Sequence, residues 1–234
     1  MNWIFRYQLF LFDFDGLLVD TEKLHYQAYI KMCAERGFHL DWSFHRYSEA
    51  AHHQSSGLQD QIYAKFPELY LQEPNWKILY EEKKRILLSL IENEPIPLMP
   101  GVADLLLALQ KANIKRCVVT HSPTILIQGI RKHNPILNTI PYWITREDYT
   151  HPKPDPESYQ TAINRLANPQ DHIIGFEDSP RGLNALLGTN AVPVLICPLD
   201  SNYLKDTLQE NSNNKLSYYS SFTEINDENA PFTK

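Results

Sequence analysis

The segment Leu9–Gly16 restricts how this chain can fold more than any other. Four apolar residues are followed by two carboxylates one residue apart and then by a glycine. The apolar run predicts a buried strand, and alternation along a strand places Asp13 and Asp15 on the same side. Two like charges held together need a cation or a shared proton, and a divalent metal ion is the simplest explanation. Gly16 permits a sharp exit from the strand. An acidic turn after a strand remains the alternative at this point.

The stretch that follows has the composition of helices. Asp20 or Thr21 can begin a helix that Gly37 ends, because glycine adopts a left-handed conformation easily. Residues 38–93 lack long β-branched runs and are rich in helix formers. The last predicted helix covers about 75–92. Its charged residues are expected to form a solvated face, and they are Glu81, Glu82, Lys83, Lys84 and Arg85.

A proline-rich linker at residues 94–101 separates this helical module from a region in which strands and helices alternate. The predicted strands cover 115–120, 141–145, 172–176 and 192–197, the predicted helices cover 102–112 and 156–166 with another beginning near Pro123, and 216–225 can add an edge strand and a short helix. Such alternation predicts an α/β fold with a doubly wound parallel sheet, that is, a Rossmann-like core. Residues 1–20 and 97–234 would form this core, with the helical module, residues 21–96, inserted in it.

Composition argues against several classes of function. Hydrophobic residues make up 43% and charged residues 21% of the chain, as in ordinary globular proteins. A formal net charge of -6 argues against binding to nucleic acid or to an anionic membrane, because both require a basic surface. No apolar run reaches the roughly 20 residues of a membrane span. Cys33, Cys117 and Cys197 lack the paired spacing of a zinc site and suit a reducing compartment. We expect a cytoplasmic protein that is a monomer.

Polar side chains follow the carboxyl ends of four predicted strands. They are Asp13 with Asp15, the run Thr120-His121-Ser122, Lys153 beyond a loop, and the pair Glu177-Asp178. Parallel α/β sheets bind ligands beyond the carboxyl ends of their strands, so these residues should converge on one crevice. Taken singly, Thr120 could be a local cap and Lys153 a solvated lysine, and it is their placement that favours a joint role.

With these motifs in this order, the chain resembles the haloacid dehalogenase-like hydrolase superfamily, and within it the branch of β-phosphoglucomutase and related sugar-phosphate phosphatases. The resemblance runs from Leu9 to about Ile196, and its most specific parts are Asp13–Glu22 and Gly175–Gly182. It implies a small phosphorylated metabolite as the substrate, Mg²⁺ as the cofactor and an aspartyl-phosphate intermediate. The helical module would be the cap domain that closes over the substrate.

The resemblance also implies a role for each acidic candidate. Asp13 would be the nucleophile, and Asp15 would be the general acid and base. Mg²⁺ would be held by Asp13, by the backbone carbonyl of Asp15 and by Asp178, with Glu177 taking part directly or through water. Lys153 would offset the negative charge of the phosphate and of the nucleophile.

Further residues would bind the phosphate or the rest of the substrate. Thr120 would donate a hydrogen bond to a phosphoryl oxygen, helped by the backbone amides of His121 and Ser122. Gly16 would keep the backbone close to the same group. His25 matches the position of a cap histidine that lies near the site in many relatives. It would either touch the substrate or the acid–base residue, or be an ordinary surface or interface histidine.

Departures from the family pattern bear on the substrate. Alignment on Gly57 puts Ala51 and Gln54 where the mutase-like pattern has a glycine and an arginine that grips a second phosphate. Relatives also commonly have Asn at the position of His121 and Gly at that of Pro152. These differences favour a Mg²⁺-dependent phosphatase of small phosphomonoesters over a hexose-phosphate mutase of the β-phosphoglucomutase type. A non-catalytic phosphate-binding protein is a third hypothesis, against which the retained acids, hydroxyl and lysine argue.

Overall fold

A computed structural model describes residues 1–53, 57–199, 201, 204–211 and 216–231. The chain forms two compact units, one made of Met1–Asp20 and Pro97–Lys234 and the other of Thr21–Ile96. Gln54, which stands where the mutase-like pattern has an arginine, lies outside the described residues. A role for the second unit as a cap over a substrate stays a prediction.

The larger unit is built on a parallel sheet. Its strands are β1 Leu9–Phe12, β2 Lys115–Val119, β3 Tyr142–Ile144, β4 Ile173–Glu177, β5 Val192–Ile196 and β6 Ser217–Tyr219. Their order across the sheet is β3-β2-β1-β4-β5-β6, and every neighbouring pair is parallel. This is the order of a doubly wound sheet, in which ligands bind where the order reverses, here between β1 and β4. The predicted α/β fold with a Rossmann-like core is confirmed.

β1 lies at the centre because it is apolar on both faces. On one face, Phe10 and Phe12 stack against Phe176 of β4, with ring centroids 6.2 and 5.3 Å apart. On the other face, Leu9 and Leu11 belong to a fully buried cluster that includes residues of β2 and of the helices packed on that side. A parallel strand covered on both faces requires such a continuous apolar run, which is why the sequence identified this strand correctly.

The smaller unit is helical. Its helices are α1 Glu22–Glu35, α2 Phe44–His53, α3 Gly57–Lys65, α4 Pro67–Gln72 and α5 Trp76–Asn93. Helices α1 and α5 pack against each other, and Tyr29 of α1 stacks on Trp76 at the start of α5, with centroids 6.2 Å apart. Gly37, just beyond α1, has a φ of 87°, the left-handed conformation predicted for it.

The prediction of a solvated charged face on α5 is wrong for Lys83. This residue is 2% exposed because it lies on the same helical face as Leu79 and Ile86, which are also buried. The Lys83 ammonium lies 2.9 Å from Nδ1 of His25 and 5.0 Å from the ring centroid of Tyr29. The aliphatic stem and the charged end of Lys83 are therefore both buried.

The helices of the larger unit alternate with its strands. They are α6 Val102–Lys111, α7 Thr124–His133, α8 Glu157–Leu166, α9 Pro180–Leu187 and α10 Leu204–Glu210. Helix α9 is not predicted from the sequence, because Pro180 and Gly182 are typical loop residues. Proline costs no hydrogen bond in the first turn, and Ser179 caps this helix by accepting from the Gly182 N–H at 3.2 Å. None of the helices in the described part of the chain is long and apolar enough to cross a membrane.

Candidate active site

The register of the sheet brings three polar strand ends side by side. Phe12 of β1 is paired with Val118 of β2 and with Phe176 of β4. Asp13 follows the end of β1, Thr120 follows the end of β2, and β4 ends at Glu177. The Asp13 N–H continues the pairing by donating to the Phe176 carbonyl at 3.0 Å. The carboxyl edge of the sheet therefore brings together residues that are far apart in the sequence.

The loop after β1 folds back on itself and separates the two aspartates. The N–H groups of Leu18 and Val19 donate to the Phe14 carbonyl at 2.9 and 3.2 Å, and the Gly16 N–H donates to the Val19 carbonyl at 2.9 Å. Gly16 has a φ of 82°, a conformation that costs a side-chain-bearing residue free energy. The turn starts at Phe14, so Asp15 lies within it, whereas Asp13 still continues the pairing of β1.

Lys153 holds the Asp13 carboxylate in place. Its ammonium donates to Asp13 Oδ1 at 2.5 Å, to Glu177 Oε1 at 2.7 Å and to the Val119 carbonyl at 2.9 Å, and it lies 3.3 Å from the Tyr159 hydroxyl. Burial lowers the pKa of Lys153, but the attraction of Asp13 and Glu177 outweighs it, and the pKa is raised overall. The lysine is therefore a permanent positive charge at the base of the site.

Burial raises the pKa of the Asp13 carboxyl, and the attraction of Lys153 opposes that rise. Asp13 is 8% exposed, so its charge is largely removed from water. The ion pair with Lys153 stabilises the ionised form of this buried carboxylate.

Glu177 is completely buried, and its two oxygens have different surroundings. Oε1 accepts from Lys153 and, at 2.5 Å, from the Tyr159 hydroxyl, whereas Oε2 has no hydrogen-bond partner among the described residues. Burial raises the pKa of Glu177 to about 7. Gly182 of α9 lies directly against this carboxylate, since a Cβ there would be 2.0 Å from Oε2. The glycine is therefore required by the close approach of helix and carboxylate.

Three acidic residues are grouped tightly enough to hold one cation. Carboxylate oxygens of Asp13, Glu177 and Asp178 lie within 4.8 Å of one another, and all three residues are buried. Mg²⁺ takes oxygen ligands of this kind, and the buried Glu177 Oε2 without a partner is an acceptor that a cation would satisfy. This set of carboxylate oxygen ligands fits Mg²⁺. The side chain of Asp15 is outside this group.

Asp15 is held instead by the residues that follow β2. The Ser122 hydroxyl donates to Asp15 Oδ2 at 2.6 Å, and the Thr120 hydroxyl lies 3.4 Å from the same oxygen. The Ser122 N–H in turn donates to Thr120 Oγ1 at 2.9 Å. The two aspartates thus have distinct partners, a lysine for Asp13 and two hydroxyls for Asp15.

Comparison with known proteins identifies the family. A family model described as haloacid dehalogenase-like hydrolase matches residues 10–191. The chain belongs to the haloacid dehalogenase-like hydrolases. A phosphorylated carbohydrates phosphatase from Thermotoga maritima is 27% identical to this hydrolase over 181 residues, and the match covers 75% of this chain and 78% of that protein.

Solved structures share the fold of this hydrolase. A structure of CbbY from Rhodobacter sphaeroides in complex with phosphate has a TM-score of 0.74 at 21% identity, and the match covers 93% of this chain and 96% of that one. A β-phosphoglucomutase from Clostridium difficile has a TM-score of 0.70 at 24% identity, with 95% and 94% covered. The resemblance to the β-phosphoglucomutase and sugar-phosphate phosphatase branch is confirmed, and the protein is an enzyme of the phosphohydrolase type.

The His121 side chain of this hydrolase is directed towards Tyr149. The Tyr149 hydroxyl donates its proton to the Thr120 carbonyl at 3.0 Å, so its contact with His121 Nδ1 requires the imidazole nitrogen to be the donor. Burial, followed by the repulsion of Lys153, lowers the pKa of His121 to about 2. His121 is therefore a neutral histidine with its lone pair on Nε2, an atom that is buried without a hydrogen-bond partner in the part of the chain described. Phosphate binding by this residue stays a prediction.

His25 lies in the smaller unit, next to Lys83. Burial lowers the pKa of His25 to about 3, and the neighbouring Lys83 ammonium lowers it further in the same direction. The histidine is consequently neutral, and Nδ1 is the acceptor of the Lys83 hydrogen bond. The contact of His25 with a substrate or with the acid–base residue stays a prediction.

Sequence reasoning missed two residues of this site, Tyr159 and Gly182. Tyr159 is fully buried on α8, donates to Glu177 and lies with its ring centroid 4.8 Å from the Lys153 ammonium. Nothing in the local pattern separates this tyrosine from an ordinary core residue. Gly182 stands in one of the most specific motifs, but its role follows only from how closely α9 passes Glu177.

Proposed function

We propose that this hydrolase is a Mg²⁺-dependent phosphatase that acts on a small phosphomonoester, such as a sugar phosphate, through an aspartyl-phosphate on Asp13. The observation that carries the proposal is the asymmetry of the two aspartates. Asp13 is paired with the Lys153 ammonium at 2.5 Å, and Asp15 is held by the Ser122 hydroxyl at 2.6 Å. A nucleophile and an acid–base group in one site need environments that differ in this way.

The first half of the reaction forms a bond from an Asp13 carboxylate oxygen to phosphorus, while the bond from phosphorus to the leaving oxygen breaks. Asp15 gives its proton to that oxygen, which departs as an alcohol. Lys153 offsets the negative charge shared by Asp13 and the phosphoryl group. In the second half, Asp15 takes a proton from water as the water oxygen bonds to phosphorus, and the bond to Asp13 breaks to release inorganic phosphate.

The metal ion would be held by Asp13, Asp178 and the backbone carbonyl of Asp15, with Glu177 directly or through water. When bound, Mg²⁺ would screen the negative charge of the phosphate from that of the nucleophile. Lys153 also offsets negative charge here, and its contacts with both Asp13 and Glu177 would hold these carboxylates in place for binding the ion.

The test uses the purified protein with Mg²⁺ and a generic aryl phosphate, followed by a panel of phosphorylated sugars, nucleotides and glycolytic intermediates. Asp13→Asn should abolish phosphate release, because the amide cannot form the phosphoenzyme. The matched control is Asp171→Asn. Asp171 precedes β4, at the edge of the sheet opposite the site, and its carboxylate accepts a hydrogen bond from the Asn168 N–H. Chelation of Mg²⁺ should stop turnover, and added Mg²⁺ should restore it. Turnover that survives Asp13→Asn contradicts the mechanism.

The alternative function is that of a hexose-phosphate mutase. The fold is shared with a β-phosphoglucomutase, so the fold is compatible with either reaction. Ala51 in α2 and Gln54 stand where the mutase-like pattern has its glycine and its arginine, and this departure argues for hydrolysis. The two reactions differ in their products. Measuring inorganic phosphate and isomerised sugar phosphate in the same reaction separates them, and accumulation of the isomer without phosphate release would favour the mutase.

A further inference from the structure

The backbone of the loop that directly follows β2 is held by the segment that begins with β3. The Thr120 N–H donates to the Ile144 carbonyl at 2.9 Å, and the Ser122 carbonyl accepts from the Arg146 N–H at 3.3 Å. The Thr120 carbonyl accepts from the Tyr149 hydroxyl at 3.0 Å. Within the loop, the Ser122 N–H donates to Thr120 Oγ1 at 2.9 Å. The peptide groups on both sides of His121 therefore have fixed partners.

The His121 N–H differs from these groups, because it has no acceptor in the part of the chain that the structure describes. The peptide bond between Thr120 and His121 is trans, so this N–H points in the direction opposite to the Thr120 carbonyl. The Tyr149 hydroxyl, which binds that carbonyl, therefore sets the direction of the His121 N–H. A backbone N–H at the carboxyl edge of a parallel sheet is placed to donate to a bound anion.

Tyr149 is itself held firmly. It is 7% exposed and belongs to the same buried cluster as Leu9 and Leu11 of the central strand. The Arg146 guanidinium lies 5.2 Å from the centroid of its ring. Nδ1 of His121 donates to the Tyr149 hydroxyl oxygen, and the hydroxyl proton is then directed to the Thr120 carbonyl. The His121 side chain thus reinforces the bond that orients its own backbone N–H.

We propose that Tyr149 is a positioning residue, which holds the peptide group between Thr120 and His121 so that the His121 N–H can donate to a phosphoryl oxygen of the substrate. Tyr149 acts through this peptide group and does not itself touch the substrate. His121 then has two tasks, since its backbone binds the phosphate and its side chain supports Tyr149. This inference rests on the proposed phosphatase function and deepens it.

The test compares the wild type with Tyr149→Phe, which removes the hydroxyl and keeps the ring. Tyr7→Phe is the matched control, because Tyr7 is also buried and donates to a backbone carbonyl, that of Pro231, at 2.6 Å. Tyr7 precedes β1, at the edge of the sheet opposite the site. Each variant loses one buried hydrogen bond and should melt about 2–4 °C lower. Only Tyr149→Phe should weaken the affinity for inorganic phosphate with Mg²⁺, by about fivefold in calorimetry.

A second readout follows the N–H group directly. The chain has nine histidines, so a protein labelled with ¹⁵N only in histidine gives a simple amide spectrum. The His121 signal is assigned as the one that is missing from His121→Asn. Phosphate should shift this amide proton downfield more than that of any other histidine. In Tyr149→Phe the shift at saturating phosphate should be smaller, whereas Tyr7→Phe should match the wild type, which separates positioning from a loss of stability.

Equal phosphate affinity and an equal amide shift in Tyr149→Phe and in the wild type would overturn the inference. If Tyr149→Phe does not fold, a crystal structure of the wild type with phosphate decides. The His121 nitrogen should then lie within about 3.5 Å of a phosphate oxygen while Tyr149 stays bonded to the Thr120 carbonyl, and the loss of either contact would overturn it.

Turnover of Asp13→Asn keeps the inference distinct from the function on which it rests. If Asp13→Asn abolishes turnover but the His121 amide of the wild type does not respond to phosphate, the inference is overturned and the phosphatase function stands. Turnover that survives Asp13→Asn would overturn both.

Discussion

The replacement Gly182→Ala tests the geometry around Glu177 most directly. The added Cβ would lie 2.0 Å from Oε2 and 2.3 Å from Oε1, whereas ordinary van der Waals contact begins at 3.4 Å. The carboxylate would have to retreat by about 1.4 Å. Glu177 is completely buried against its neighbours, so this displacement must disturb the contacts that it makes.

Two contacts would be lost. The Lys153 ammonium lies 2.7 Å from Glu177 Oε1 and the Tyr159 hydroxyl lies 2.5 Å from it, and neither bond survives a shift of this size. Breaking a buried ion pair costs about 3–5 kcal/mol of stability. The lower value applies here because Lys153 retains its ion pair with Asp13. For a chain of this length, that loss lowers the melting temperature by about 6–12 °C. Misplacing catalytic groups by about 1 Å should lower kcat/KM about 100-fold.

The assay is hydrolysis of an aryl phosphate with Mg²⁺, combined with thermal melting of the same samples. The control is Gly188→Ala, where the added Cβ would lie 2.8 Å from the Pro156 Cβ, at the other end of α9. It should lower the melting temperature and keep kcat/KM within about twofold of the wild type. If Gly182→Ala retains wild-type activity and stability, the close packing of α9 on Glu177 does not have the role assigned to it.

Three further changes test other contacts. Tyr159→Phe keeps the ring beside Lys153 but removes the bond to Glu177, so kcat/KM should fall about tenfold, and unchanged kinetics would show that the hydroxyl is dispensable. Lys83→Met should raise the pKa of His25, because the ammonium contributes to lowering it; an NMR titration of the imidazole checks this. His121 has a pKa of about 2 when folded and takes up a proton on unfolding below about pH 6.5, so stability falls as the pH drops. His121→Asn should remove about 2 kcal/mol of the stability loss between pH 7 and pH 5, measured by urea unfolding, and an identical pH dependence in both proteins would contradict it.

The parallel sheet, and the edge of it that carries the site, can be predicted from residue patterns alone. The continuous apolar run of β1 predicts a central strand, and polar residues after β1, β2 and β4 can meet only at one edge of a parallel sheet. These are local patterns of two or a few residues, so they can be recognised without knowing which distant segments pack together. The family resemblance then gave candidate roles to the same residues.

The hydrogen-bond and ion-pair partners of each side chain in the site depend on how distant segments pack together. Asp13 meets Lys153 across 140 residues of sequence, and Asp15 meets Ser122 across 107. The burial of Lys83, the neutral state of His121 and the contact between Tyr159 and Glu177 likewise depend on elements distant in the chain. Hydrogen bonds and desolvation act over a few ångströms in space, and local residue spacing carries no information about them. The two aspartates look equivalent in the sequence and become different only through the neighbours that folding brings to them.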